Sequence, residues 1–415
     1  MPVRHGRQKA VGPARFVARL VATALAVVLV SAAGVAAFAL VNTLSGVKPG
    51  IHLASLATDN PGGAAPAPPT SMDGAINVLL TGTDTRTGQG GRFAAVQELA
   101  GSSGAGSNDV TMVLHIAADH KSAAVISIPR DLLLPIPACQ NGNVVTPASS
   151  SAMFNTALSR GGLSCVVVTA EQLTGLTIPY AAEISFDGVI ALSNSVGGVT
   201  VCLASPLVDP YVGLNLKAGK QTLTGADALA FVRTRHGIGD GSDLGRISNQ
   251  QLFLSSLIRK ITSAGVLANP ITLYSLAQAA VTNMQLSDTL TQPATLVSIA
   301  LAFKNVSLDH VVFLQFPSVQ DPAQPGRVIP DSTAAATLDA ALAADVPVQL
   351  AGTLGRAAVL DTPAPTPTNL STPVPTNRAS PSPPSAAPTP TRTAVALPPT
   401  VTGQTAAQQT CTKGN

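Results

Sequence analysis

The chain has no tryptophan and only three tyrosines in 415 residues, and just 11% of its residues are charged. Aromatic platforms on which bases or sugars stack are therefore scarce. A formal net charge of +3 gives no electrostatic footprint for nucleic acid, so nucleic acid is not an expected partner. No Gly-x-x-x-x-Gly-Lys-Ser/Thr occurs, which excludes a P-loop, and no Gly-x-Ser-x-Gly marks a nucleophile elbow. Cysteine is limited to four residues, none spaced closely enough for a zinc knuckle or a redox pair. Cys139, Cys165, Cys202 and Cys411 allow three pairings. Cys139 with Cys165 is favoured because the two bracket one excursion, which leaves Cys202 for Cys411.

Charge is also missing over one long stretch. Residues 1–19 carry Arg4, Arg7, Lys9, Arg15 and Arg19 with no acid, and 20–47 carry no charge at all. An apolar run of that length spans a bilayer as one helix. The basic stub before it predicts a cytoplasmic N-terminus, with the bulk of the chain outside the cell membrane. A cleaved signal peptide is the alternative, although the run is longer than a usual signal core and Ser31-Ala-Ala33 is a weak cleavage site. Residues 48–71 read as a linker rich in Gly, Pro, Ala and Ser. Residues 351–415, dominated beyond Asp361 by Pro, Thr, Ala and Ser, read as a disordered tail without apolar residues for a core. Its removal after Asp361 is expected to leave the rest intact.

One domain then occupies 72–350. Short apolar or alternating runs predict strands at Ile76–Thr81, Met112–Ile116, Ala123–Ile128, Tyr180–Ser185, Val199–Leu203 and Val311–Phe316. Helices are expected at Val166–Leu173, Phe186–Ser195, Leu273–Val281 and Thr333–Ala343. The economical arrangement is a three-layer α/β/α domain with a mixed central sheet.

A conspicuous concentration of charge lies between Leu229 and Gln251, with Arg233, Arg235, His236, Asp240, Asp243 and Arg246. Asp243 is a candidate N-cap for an amphipathic helix over 246–263, with Ile247, Phe253, Leu254, Leu257 and Ile261 apolar. Arg246 and Gln250, four apart, share a face of that helix. Arg233 and Arg235 point the same way if their segment is extended. Guanidiniums beside a helix N-terminus suit a polyanion such as a diphosphate. A solvated basic loop leading into a core helix is the plainer alternative. Polar residues also collect at Gly82–Arg86, Ser107–Asp109 and Ile128–Asp131, each next to a strand. Asp84 and Asp109 together offer the one or two carboxylates that Mg²⁺ needs beside phosphate and water. His115, within an alternating strand, reads as structural.

These motifs, in this order, resemble the LytR-CpsA-Psr proteins of the Gram-positive cell envelope. The match runs through Asn77-Val-Leu-Leu-Thr-Gly-Thr-Asp-Thr-Arg86, Asn108-Asp-Val-Thr-Met-Val-Leu-His-Ile116 and Ser127-Ile-Pro-Arg-Asp131. It continues through Phe154-Asn-Thr-Ala157, Gly161-Gly162, Phe186-Asp-Gly188, Val196-Gly-Gly-Val-Thr-Val201 and the arginine block to Gln250-Gln251. The alanine, glycine and proline content and the cysteines resemble actinobacterial members. Two positions depart from the usual pattern: Met153, where many members have Lys, and Ser185, where many have an acid.

The resemblance implies a phosphotransferase that moves a glycopolymer from a polyprenyl-diphosphate carrier onto peptidoglycan. It assigns Mg²⁺ to Asp84 and Asp109, and the diphosphate to Arg86, Arg130, Arg233, Arg235, Arg246 and Gln250. Asp131 and Asp243 support the arginines, and catalysis falls chiefly to Asp84, Arg130, Arg235 and Arg246. A polyprenyl-diphosphate phosphatase and a non-catalytic envelope regulator are the alternatives, and an anchored external domain argues against a regulator that touches DNA.

Overall fold

The computed structural model describes residues 49–54, 74–87, 106–142, 144–262, 280–291, 293–361 and 393–415. The basic stub, the apolar run and most of the linker lie outside these residues, as does all but the end of the helix expected at Leu273–Val281. Among the described residues no helix is long and apolar enough to cross a membrane.

Among the described residues, β1 (Ile76–Thr83), β2 (Asn108–Ile116) and β3 (Ala123–Ile128) come first. Helix α1 (Ala157–Thr174), β4 (Tyr180–Ile184), α2 (Phe186–Ser195) and β5 (Val199–Leu203) follow. A hairpin of β6 (Leu207–Asp209) and β7 (Leu214–Leu216) leads to β8 (Gly219–Leu223), α3 (Gly225–Arg233) and α4 (Asp243–Thr262). Next come β9 (Met284–Leu286), α5 (Pro293–Lys304), β10 (Val311–Gln315) and α6 (Ser332–Ala343). The last strands used below are β11 (Ala358–Leu360), β12 (Gly403–Thr405) and β13 (Thr410–Thr412).

Among the described residues, seven strands form the main sheet, in the order β9-β4-β1-β2-β3-β10-β12. It is mixed: β1 runs antiparallel to β2 and parallel to β4, and β3 runs parallel to β10. Period-two alternation splits its residues between two faces. Leu79, Val113 and Ile126 enter the core with Val166, Val167 and Ala170 of α1 and Leu338, Ala341 and Leu342 of α6. Leu80 and Met112, paired across β1 and β2, point the other way. His115 is structural, buried with Nδ1 2.8 Å from Asn77 Oδ1.

The α1 turn is held by Cys139–Cys165, whose loop spans 26 residues. Gly161 is required here because an added Cβ would stand 2.6 Å from the Cβ of Cys139. Ser185, one of the two departures from the usual pattern, caps α2 by accepting a hydrogen bond from Gly188 N at 3.2 Å. That is a standard role for serine at a helix start.

Beyond the main sheet, the described residues hold more than the expected three-layer α/β/α arrangement. A second sheet, β8-β5-β13-β11, packs Val199, Val201 and Leu203 against Phe231 of α3 and Leu252 and Phe253 of α4. Two of its strands come from the stretch read as a disordered tail. That reading of 351–415 is corrected for the described residues. β12 closes the edge of the main sheet against β10, and β13 pairs with β5 through the Cys202–Cys411 disulfide. Average composition hid Leu397, Val401 and Ala406, each no more than 1% exposed. Lys48–Asn415 is accordingly one compact unit. The linker reading also fails at its start, where Ile51 N donates to Leu286 O at 2.9 Å beside β9.

Arg259, one charge late in α4, binds this C-terminal segment by donating to the carbonyls of Ala406 at 2.6 Å and Gln408 at 3.1 Å. It is therefore no neutral surface position. Replacing Cys202 and Cys411 together by serine removes a link across 209 residues of sequence. The expected loss is about 2–5 kcal/mol in urea denaturation. Truncation after residue 392 should unfold the second sheet, reversing the expectation from composition. An unchanged midpoint in both variants would make the segment a bystander.

Candidate functional site

The sheet face that carries Leu80 and Met112 forms part of a cavity of about 400 Å³. Phe186 and Val189 of α2, Leu229 of α3 and Phe253 of α4 extend this apolar lining. The same cavity is bordered by Asp109, Arg130, Arg233, Arg235, Arg246 and Gln250. Five residues singled out by sequence for an anion, drawn from β3's exit, α3's end and α4's start, thus meet at one place. Arg86 and Asp84, on the loop leaving β1, are not part of this lining.

The polar wall depends on how α4 begins. Ser242, rather than Asp243, caps it: the Ser242 hydroxyl accepts from Gly245 N at 3.3 Å. Asp243 sits in the first turn, which frees its carboxylate to reach outward. Its Oδ1 contacts Arg246 Nη2 at 2.5 Å and lies 3.8 Å from Arg130 Nε. Its Oδ2 accepts from the backbone N–H of Arg130 at 3.3 Å. Arg130 donates to Asp109 Oδ1 at 2.8 Å and lies 3.6 Å from Asp131, which also holds Arg327 at 2.9 Å. Arg246 donates to the Asp109 carbonyl at 2.6 Å. Asp131 and Asp243 thus stand behind the arginines, outside the cavity lining. Burial alone would lower the Arg130 pKa, but Asp109, Asp243 and Asp131 raise it above its ordinary value.

Arg235 is placed differently. The segment is not extended throughout, because α3 runs to Arg233 and only Thr234 turns the chain out of the helix. Arg233 stacks its guanidinium over the Phe186 ring at 4.2 Å. Among the described residues no carboxylate lies within ion-pair distance of Arg235, and its Nε is buried without an acceptor. Burial, then repulsion from Arg130 and Arg246, pushes its pKa down. A half-buried cation in that state is stabilised by an incoming anion. Gln250 is already engaged, its amide N–H donating to Val232 O at 3.0 Å. It ties α4 to α3 and keeps its second amide N–H and its carbonyl oxygen for other partners.

Sequence reasoning missed Asp209. This residue is fully buried at the end of β6. Its Oδ2 accepts from Thr234 Oγ1 at 2.6 Å, Arg235 N at 3.1 Å and His236 N at 3.2 Å. Its Oδ1 accepts from Tyr211 N at 3.1 Å. One carboxylate thus fixes the backbone that carries Arg235. The Asp209-Pro210 pair is a readable turn signal, but its target 25 residues away is not.

Asp84 and Asp109 flank Ser107. Both donate their backbone N–H to its carbonyl, at 3.2 and 3.0 Å, and Asp84 Oδ1 accepts from Ser107 N at 2.6 Å. Burial pushes the Asp84 carboxyl above its usual range, the Ser107 N–H pulls it back, and the charge of Asp109 pushes it up again. Two neighbouring carboxylates in this condition fit a divalent cation, which needs only one or two of them.

Burial alone would raise the Asp209 carboxyl, but hydrogen bonds from Thr234, Arg235, Tyr211 and Gly237 hold it below the usual range. Its stabilising contribution is therefore present above the ordinary carboxylate pKa and is lost as pH falls. Asp209→Asn is expected to lose about 1–3 kcal/mol at neutral pH. The gap to wild type should narrow as pH drops below about 4. Melting curves across pH check this, and a pH-independent gap would contradict it.

Comparison with known proteins agrees with the motifs. The LytR_cpsA_psr family model matches residues 53–340. The chain is 32% identical over 267 residues to the cell wall biosynthesis protein LcpA of Corynebacterium glutamicum, covering 60% of this chain and 51% of that protein. It is 27% identical over 222 residues to TagV of Bacillus subtilis, a polyisoprenyl-teichoic acid–peptidoglycan teichoic acid transferase, covering 52% of this chain and 54% of TagV. The chain thus spans about half the length of the curated relatives it matches. A crystal structure from Streptococcus agalactiae shares the fold, with a TM-score of 0.53 and 22% identity over 66% of this chain and 88% of that one. With its family model matched over most of the domain, this chain belongs to the LytR-CpsA-Psr family.

Proposed function

We propose that the protein is a cell-wall glycopolymer ligase. It moves a glycopolymer from a polyprenyl diphosphate onto peptidoglycan and releases polyprenyl phosphate. The observation that carries this reading is the composition of one cavity: apolar over the sheet face and α2, and bordered by arginines that include Arg235, which has no carboxylate partner among the described residues. A lipid diphosphate has the same two-part chemistry. TagV, a relative, bears the name of such a transferase.

In the reaction, a hydroxyl of the wall glycan attacks the phosphorus that bears the polymer. The bond to the polyprenyl phosphate breaks, a phosphodiester forms, and the hydroxyl proton passes to a base. Phosphoryl transfer needs chiefly positioning and charge stabilisation. Arg235 takes the charge growing on the leaving phosphate, as a preorganised donor in a partly dry cavity. Arg130 and Arg246, already fixed by Asp109 and Asp243, set the electrostatic field around it. Asp84 and Asp109 would hold Mg²⁺, which when bound neutralises diphosphate charge. The 20–47 anchor would place this chemistry outside the cell membrane, where the wall is built.

Arg235→Ala is the informative variant because Arg235 carries no ion pair that its loss would break. Transfer of labelled polymer to peptidoglycan should fall roughly 10²–10³-fold. Lysine should not restore it, since the planar two-pronged donor is lost. Arg246→Ala is less informative: it breaks the buried Arg246–Asp243 pair, a kind of loss that costs about 3–5 kcal/mol. Wild-type transfer rates in well-folded Arg235→Ala would remove the diphosphate from this site. Polyprenyl phosphate released at one rate with or without peptidoglycan would identify a phosphatase instead.

The metal assignment has its own test. Asp84 is held above its ordinary pKa, so its ionisation opposes folding as pH rises, and a bound cation offsets that. Mg²⁺ at 100 times its Kd should add about 2.7 kcal/mol to wild-type stability and much less to Asp84→Asn. Equal thermal shifts in both proteins would exclude Asp84 as a ligand.

A further inference from the structure

Tyr211 is the most exposed large hydrophobic side chain among the described residues, 79% accessible in a protein with three tyrosines and no tryptophan. It sits between β6 and β7 and borders the same cavity as Arg235. His236, the residue after Arg235, packs its ring against the Tyr211 ring, with centroids 4.2 Å apart and a 35° tilt. Neither ring hangs on a free loop. Asp209 accepts from the backbone N–H of Tyr211 at 3.1 Å and of His236 at 3.2 Å. The His236 carbonyl also accepts from Asn415 Nδ2 at 2.8 Å. A fully buried carboxylate thus fixes both rings and the anion-facing arginine in one frame.

A flat ring backed on one side and open on the other is an aromatic platform. Bases stack on such rings, and the apolar face of a sugar ring offers a similarly flat surface. From these contacts we propose that Tyr211, backed by His236, is a carbohydrate-stacking subsite at the cavity rim, for a pyranose ring next to a phosphate on Arg235. The inference rests on the diphosphate reading above. The lipid has its own apolar lining over the sheet and α2, so the group at the rim is the sugar. Two sources supply that ring: the first sugar of the donor polymer, or the wall glycan that accepts it.

The test measures binding to the full-length chain in detergent. Three probes are used: farnesyl diphosphate, farnesyl diphosphate bearing one N-acetylhexosamine, and a peptidoglycan disaccharide. Tyr211 is exposed, so Tyr211→Ala should fold, with melting as the check. It should weaken one sugar-bearing probe on the order of tenfold and leave farnesyl diphosphate unchanged. The affected probe names the source. Tyr211→Phe should keep wild-type affinity, because stacking needs the ring rather than the hydroxyl. Equal affinity of Tyr211→Ala for both sugar-bearing probes would overturn the subsite alone. Equal weakening of the sugarless probe would assign the ring to the lipid or phosphate and also overturn it. Wild type failing to bind farnesyl diphosphate would overturn the diphosphate reading, and the subsite with it.

Discussion

Mutual repulsion among Arg130, Arg235 and Arg246 is the constraint on which the site depends. Like charges close together in a half-dry cavity do not stay there unless something opposes them. Asp109 and Asp243 supply that opposition for Arg130 and Arg246, at 2.8 and 2.5 Å, with Asp131 behind. Arg235 is held by its backbone instead, through Asp209, and its charge is left for a ligand. Cations paired with carboxylates thus surround one that an anion would pair. The start of α4 makes this possible, because Ser242 takes the capping role and releases Asp243 to bridge Arg246 and Arg130.

The rest of the architecture serves that arrangement. β1 and β2 divide their residues by alternation: Leu79 and Val113 make the core, while Leu80 and Met112 make an apolar cavity wall. One pair of strands therefore supplies both stability and an apolar wall for the cavity. The second sheet holds α3 and α4 in place through Phe231, Leu252 and Phe253. The C-terminal strands hold that sheet in turn, and Asn415 N reaches Gly237 O at 3.0 Å beside the arginine loop. Bracing of the site thus extends to residues more than 170 positions away from it in sequence.

What the sequence made legible was local. Strong periodicity placed Phe186–Ser195 and Val199–Leu203 with their observed bounds. The runs at 76–81 and 123–128 were readable for the same reason, although the first strand extends to Thr83. Candidate polar residues stood out because charge is scarce, so Arg130, Arg235 and Arg246 were easy to pick. Long-range partners were not legible. Asp209 is one aspartate in a turn until Thr234 and Arg235 fold onto it. The C-terminal strands carry too few apolar residues to announce themselves, and Arg259 looks like a surface charge until Ala406 accepts from it.

Crystallography of the protein with a short-chain prenyl diphosphate tests the central claim most directly. The account predicts diphosphate oxygens within hydrogen-bond distance of the Arg235 guanidinium, with the prenyl chain against Leu80, Met112 and Phe186. A diphosphate bound away from Arg235, or a prenyl chain lying outside that apolar wall, would contradict it.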